Sequence, residues 1–162
     1  MTDFDGYPVE ELDSEKDNGT IPKNLGIFAK NVVGRRIVEV HEGFTIAVSQ
    51  APGEDWDYTE NVSGTALGLD DGTRVLLSDT HNCCAHTVLK DIILNLDKIE
   101  HVITGVGTTD GYTKWHIYAN LGDVATLKVG WSCGNPFYYG YGFDIYVVSE
   151  EGDIKEVTDE DI

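Results

Sequence analysis

The densest chemistry in the chain lies in six consecutive residues, His81-Asn82-Cys83-Cys84-Ala85-His86. Thiolates and imidazoles are good zinc ligands, and a structural zinc site takes four of them in a tetrahedron. His81, Cys83, Cys84 and His86 are therefore the candidate metal ligands, with zinc as the candidate cofactor. Their spacing works against a regular element. On a strand, His81 and Cys83 share one face while Cys84 and His86 take the other. On a helix, His81 lies near Cys84 and Cys83 near His86, again as two pairs. Only an irregular loop gathers all four, with Cys133, His101 or His116 as further donors. A nucleophilic thiol is the second reading, and it needs a lowered pKa and a base within reach. The histidines supply a base, but no orienting acid or oxyanion donor is visible. The third reading is structural: two small thiols packed as hydrophobes at the end of a strand.

Two groups of aromatic residues are candidates for a partner-binding surface, because aromatic side chains dominate binding hot spots. Trp56 and Tyr58 sit among Glu54, Asp55, Asp57 and Glu60, in a stretch that reads as a long loop from Ser49 to Ser63. Its carboxylates could hold Ca²⁺, but the EF-hand pattern is absent, so a solvated loop is expected. Tyr138, Tyr139 and Tyr141 form the second group, beside glycines. Core and cross-strand packing is the competing reading for these tyrosines.

These residues must be positioned by one domain, since 162 residues suffice for a single core. The net charge of −18 is unevenly spread. Residues 1–20 carry seven acids and one lysine, and residues 150–162 carry seven acids and one lysine, leaving −6 for everything between. Segments this acidic and this poor in large apolar residues do not bury enough surface to offset their ordering entropy. The expected organisation is an acidic mobile segment over 1–30, one β-rich domain over 31–149, and an acidic tail over 150–162. An acidic surface repels the phosphate backbone, so direct nucleic-acid binding is not expected. Mimicry of nucleic acid would need carboxylates on a rigid surface, which mobile tails do not supply. No secretory signal and no apolar run of membrane length is visible. Three cysteines, an odd number, point to reduced thiols in a cytoplasm.

The apolar pattern is that of short strands. Arg36–Val40 and Phe44–Val48 open the series. Thr65–Leu69 and Thr73–Leu77 flank Asp70-Asp71-Gly72, a strong hairpin signal. Val88–Ile103 is ambiguous: Leu89, Ile92, Ile93, Leu96, Ile99 and Ile103 follow helical spacing, while Val88, Ile92 and Leu94 suit a strand, and the Asn95-Leu96-Asp97 break favours a strand to about Leu94 with a short helical turn through Ile99. His101–Val106, Tyr112–Ala119, Val124–Trp131 and Gly142–Val148 complete the list. The expected fold is mainly β (α+β as the variant), an antiparallel sheet, sandwich or open barrel of about seven or eight short strands with at most one or two short helices.

The order of several segments resembles a known family. It runs from the Asp-Asp-Gly hairpin into Ser78-Asp79-Thr80-His81-Asn82-Cys83-Cys84, through Leu96-Asp97-Lys98-Ile99, to Tyr112-Thr113-Lys114-Trp115-His116-Ile117-Tyr118. Val124–Trp131 and Gly134-Asn135-Pro136-Phe137-Tyr138-Tyr139 follow. This is similar to an uncharacterised family of small β-rich domains common in bacteriophages, especially those of actinobacteria, marked by a His-x-Cys-Cys motif. Ala85 departs from the acid usual after the cysteine pair, and Gly134–Tyr139 is longer than the usual Ser-Asn-Gly-Tyr-Tyr turn. The resemblance implies a setting, the cytoplasm of an infected bacterium, rather than a reaction. No phosphate-binding loop, dinucleotide loop, zinc-protease or nucleophile-elbow motif is present. The expected function is a non-enzymatic protein that binds a host or phage protein through a β surface. The alternatives are a metal- or thiol-dependent site at His81–His86 and an acidic mimic of nucleic acid.

Overall fold

The computed structural model describes residues 11–50, 58–120, 122–134 and 140–157. One helix, α1 (Thr20–Val32), precedes ten strands: β1 (Ile37–Gln50), β2 (Tyr58–Leu69), β3 (Arg74–Ser78), β4 (Thr80–Asn82), β5 (Ala85–Leu94), β6 (Gly105–Thr109), β7 (Lys114–Ala119), β8 (Gly122–Ser132), β9 (Asp144–Val148) and β10 (Ile154–Val157). They form two antiparallel five-stranded sheets, β1-β2-β3-β9-β10 (sheet A) and β4-β5-β8-β7-β6 (sheet B). The expected class is observed, with two to three more strands than expected.

The sheets pack face to face because their strands alternate as read. Val75, Leu77, Ile145 and Leu67 from sheet A meet Trp115, Ile117, Leu127 and Val129 from sheet B. Trp115 sits at the centre, with Phe28 at 6.0 Å and Phe143 at 5.5 Å between ring centroids. Burying such side chains contributes about 1.5–3 kcal/mol each.

Both segments expected to be tails contribute elements. Helix α1 lies within the segment expected to be mobile. Ile21, Asn24, Ile27, Phe28 and Val32 fall on one face at helical spacing, and all five are buried. Asp17 takes the amides of Gly19 and Ile21, and Asn18 takes that of Thr20, so the open donors of the first turn are satisfied. Asn24 bonds both the amide and the carbonyl of Phe143, tying the helix to sheet A. Strand β10 lies within the expected acidic tail and pairs with β9 from Ile154 to Val157. Net charge hid both, because a few apolar residues in a charged stretch suffice to dock it on a core.

The Asp-Asp-Gly hairpin is present. Gly72 has a φ of 90°, where a side chain would be strained. Arg36 and Arg35 form ion pairs with Asp70 and Asp71 at 3.1 and 3.3 Å. The Arg36 hydrogen bond chiefly lowers the Asp70 carboxyl below its ordinary range, and the Thr73 hydroxyl does the same for Asp71. Val88–Leu94 is strand, as expected, followed by turns through Glu100. The strand expected over His101–Val106 instead starts at Gly105, because the amides of Ile103 and Thr104 are bonded to Arg35 and Tyr118.

The expected loop over Ser49–Ser63 is a correction of more consequence. Its ends are strand: Ser49 and Gln50 finish β1, and Tyr58–Ser63 begin β2. The two strands pair from Ile37/Leu69 to Gln50/Tyr58, whereas β3 pairs with β2 only from Gly64 to Gly68. The outer half of the β1–β2 hairpin therefore runs past its sheet as a two-stranded arm.

Candidate functional site

The cysteine–histidine run is the β4–β5 hairpin. His81 faces His86 and Asn82 faces Ala85, leaving Cys83-Cys84 as a two-residue turn. Cys83 has a φ of 56°, the left-handed backbone that such turns demand. The histidine rings stack with centroids 6.0 Å apart, and the two thiol sulfurs lie 3.5 Å apart, far beyond a disulfide bond of about 2.05 Å. The structure thus joins the histidines as one pair and the cysteines as another. Among the described residues, no group of three or more His, Cys, Asp or Glu side chains is arranged to hold a metal ion. The hairpin thus divides His81, Cys83, Cys84 and His86 into two pairs, the imidazoles across the ladder and the thiols on its tip. Nor are the thiols buried hydrophobes, since Cys83 and Cys84 are exposed while Cys133 is buried. The Cys83 thiol, through its hydrogen bond and then its charge, pushes the Cys84 thiol above its ordinary value. For Cys84 that is opposite to what nucleophilic activation requires.

Of the aromatic candidates, Trp56, Tyr138 and Tyr139 lie outside the described residues, and Tyr58 opens β2. Tyr141 is corrected from an exposed to a buried residue. Its hydroxyl donates to Asp17 at 2.6 Å and accepts the Asn18 amide at 2.9 Å, and its ring stacks on Trp131 at 6.0 Å. Burial, followed by the Asp17 bond, pushes its pKa up to about 12. Tyr141 joins the N-terminal segment to the sandwich.

Sequence reasoning missed a side-chain relay on the outer face of sheet B. The Asp123 carboxylate and the Thr109 hydroxyl each lie 2.8 Å from a different ring nitrogen of His116. The order of groups is that of a hydroxyl–imidazole–carboxylate triad. Acyl transfer also needs N–H donors aimed at the developing oxyanion. β7 and β8 are interior strands of sheet B, paired on both sides, so their amides are engaged in the ladder. The relay spans three neighbouring strands and reads as a cross-strand staple.

The foot of the arm carries the most pronounced surface feature of sheet A. Among the described residues, Tyr58–Ser63 form ladder pairs only with β1; on the flank that would face β3, the Ser63 carbonyl accepts the Ser78 hydroxyl at 3.0 Å, and no ladder partner lies beyond it. A cleft of about 500 Å³ lies along this flank, lined by Glu60, Asp79, Asp144 and Glu156 together with Ser63 and Tyr146. No lysine or arginine lines it. Burial, then Glu156 and Glu60, raises the Asp144 carboxyl above its ordinary value. Burial, then the charges of Glu156, Asp144 and Glu60, pushes Tyr146 up to about 12. The same outer face holds an apolar cluster of Ile46, Ala66, Leu76, Tyr146 and Val148, flanked by Phe44, Val48 and Val62. The periodicity carried a signal for it: Tyr146 and Val148 alternate with Ile145 and Val147, so β9 is apolar on both faces.

Residues 30–145 match a family described as Domain of unknown function (DUF7448). No curated protein and no solved structure matches the chain. Among the described residues, no helix is long and apolar enough to cross a membrane.

Proposed function

We propose that this chain, which belongs to the DUF7448 family, is a non-enzymatic, protein-binding accessory protein of phage type, acting in the cytoplasm of an infected bacterium. The observation that carries this reading is the open flank of β2 along Tyr58–Ser63, at the foot of the overhanging arm. An exposed strand flank is a template for β-augmentation: an extended segment adds main-chain hydrogen bonds, and neighbouring pockets read its side chains. The chemistry of the cleft sets the partner. Glu60, Asp79, Asp144 and Glu156 suit a segment bearing lysine or arginine. The partner is therefore a host or phage protein that presents a cationic extended segment.

Capture from an infected actinobacterial lysate tests this, with the wild type beside a Glu60→Gln/Asp144→Asn/Glu156→Gln variant. The wild type should retain a partner that is released by salt, and the variant should lose it. A partner held equally by both proteins overturns the reading. The cysteine–histidine hairpin supports no second reading, given its split geometry.

A further inference from the structure

Three lysines share one cleft on the outer face of sheet B, and we propose that this cleft binds a compact oligophosphate, the triphosphate group of a small molecule. The cleft encloses about 780 Å³ and is lined by Lys90, Lys114, Lys128, His86 and Trp131 together with one acid, Asp110. That volume falls within the ordinary range of small-ligand sites.

The placement of the lysines is unusual for this chain. All three arginines are engaged with carboxylates: Arg35 with Asp71, Arg36 with Asp70 and Arg74 with Glu39. Lys90, Lys114 and Lys128 have no ion-pair partner among the described residues. Lys114 stands directly opposite Lys128 in the β7–β8 register. Like charges directly opposite each other weaken a sheet, and Asp91, which stands opposite Lys128 in the β5–β8 register, offsets part of that repulsion without forming an ion pair. Lys90 comes from β5, the neighbour of β8 on the other side, and its stem lies over Gly130. A side-chain carbon at Gly130 would come within 2.5 Å of the Lys90 Cε, so glycine leaves that chain its place across the sheet. The three ammonium groups thus span adjacent strands over ~10 Å, about two strand spacings, which suits a short chain of phosphates.

The wall of the cleft is held under strain. Asp110, Gly111 and Tyr112 have φ values of 59°, 68° and 62°, three left-handed residues in succession. Strained backbone concentrates at ligand sites when its surroundings over-determine it. Here two indoles do so: Trp115 donates to the Tyr112 carbonyl at 2.9 Å and Trp131 to the Gly111 carbonyl at 3.1 Å. The turn places Thr113 and Lys114 at the cleft.

A compact ligand also fits the electrostatics. The net charge of −18 repels a long polyanion. A local triad of ammonium groups acts within a Debye length of about 8 Å, where a small oligoanion experiences it most.

Titration calorimetry of the full chain at low salt tests the site, with inorganic triphosphate in one arm and a nucleoside triphosphate in the other. Both should bind one to one, and 0.5 M salt should weaken both. Equal affinities assign the binding to the phosphates alone. Tighter nucleotide binding with Trp131 fluorescence quenching adds a base contact to the same site. Lys128→Gln should weaken binding about tenfold, as expected for loss of one charge-assisted contact, and Lys114→Gln/Lys128→Gln should abolish it. Glu60→Gln, on the opposite sheet, should leave it unchanged. Failure of both probes to bind the wild type, or undiminished binding by the double variant, overturns the proposal. Thermal melting of that variant checks folding, and relief of the lysine repulsion should keep its midpoint at or above that of the wild type.

Discussion

The outer faces of the two sheets carry opposite charge. At the arm foot of sheet A, Glu60, Asp79, Asp144 and Glu156 gather with no base among them, and on sheet B, Lys90, Lys114 and Lys128 gather with one acid, Asp110. Each face concentrates charges that repel one another, a costly arrangement unless something of opposite sign is bound there. A net charge of −18 describes neither face. The field met by a partner is set by the few groups within a screening length. One sandwich can therefore present a cation-seeking notch and an anion-seeking cleft without either cancelling the other.

The comparison rests on a shared core, and the largest expected effect tests that. Trp115→Ala removes the side chain that touches both α1 and sheet A. It should cost about 3–5 kcal/mol in chemical denaturation, and partner capture and triphosphate binding should be lost together. A variant that lost only one of them would show that the faces do not depend on one core.

Tyr141→Phe comes next. It removes the hydroxyl that donates to Asp17 and accepts from Asn18. A loss of about 1–2 kcal/mol is expected, read by the same denaturation. Cys84→Ser at the exposed hairpin tip should change stability by less than about 0.5 kcal/mol. Equal effects from the two would contradict the assignment of Tyr141 to the buried framework.

The smallest effects separate the two charged faces. The folded-state pKa of Asp144 is raised, so folding favours its protonated form. Stability should fall as pH rises from the ordinary value of 3.8 through the raised folded value, and stay reduced above it. Asp144→Asn should remove that loss and stabilise the protein at neutral pH by less than about 1 kcal/mol. Asp70 and Asp71 act in the opposite sense. Their carboxyls are lowered, so their stabilisation is present above the ordinary value and lost as pH falls through the folded one. Lys114→Gln should stabilise the protein slightly in low salt, by about a few tenths of a kcal/mol, read as a raised melting midpoint. Thermal melts across pH and salt check all three, and destabilisation by Asp144→Asn at neutral pH would remove the repulsive account of the notch.

The sandwich itself was legible because Trp115, Ile117 and Ala119 alternate with polar residues in β7, and Leu127 and Val129 do so in β8. Helix α1 was hidden by charge: Ile21, Phe28 and Val32 are spaced for a helix, but the acids before them suggested a tail. The arm was misread because Ser49–Ser63 lacks strand alternation around Pro52 and Gly53, while pairing with β1 is what makes Tyr58–Ser63 a strand. Both charged faces needed strand order. Lys114 and Lys128 are 14 positions apart in sequence and become opposite partners only once β7 lies beside β8. Likewise, Glu60, Asp144 and Glu156 come from β2, β9 and β10, three strands that are far apart in sequence and meet at one cleft of sheet A.

Amide hydrogen exchange with the captured partner tests the central claim most directly. Partner binding should slow exchange at Thr59–Ser63, the open flank of β2, and leave Lys114–Ala119 of sheet B unchanged. Unaltered exchange at Thr59–Ser63 in a saturated complex would contradict the account.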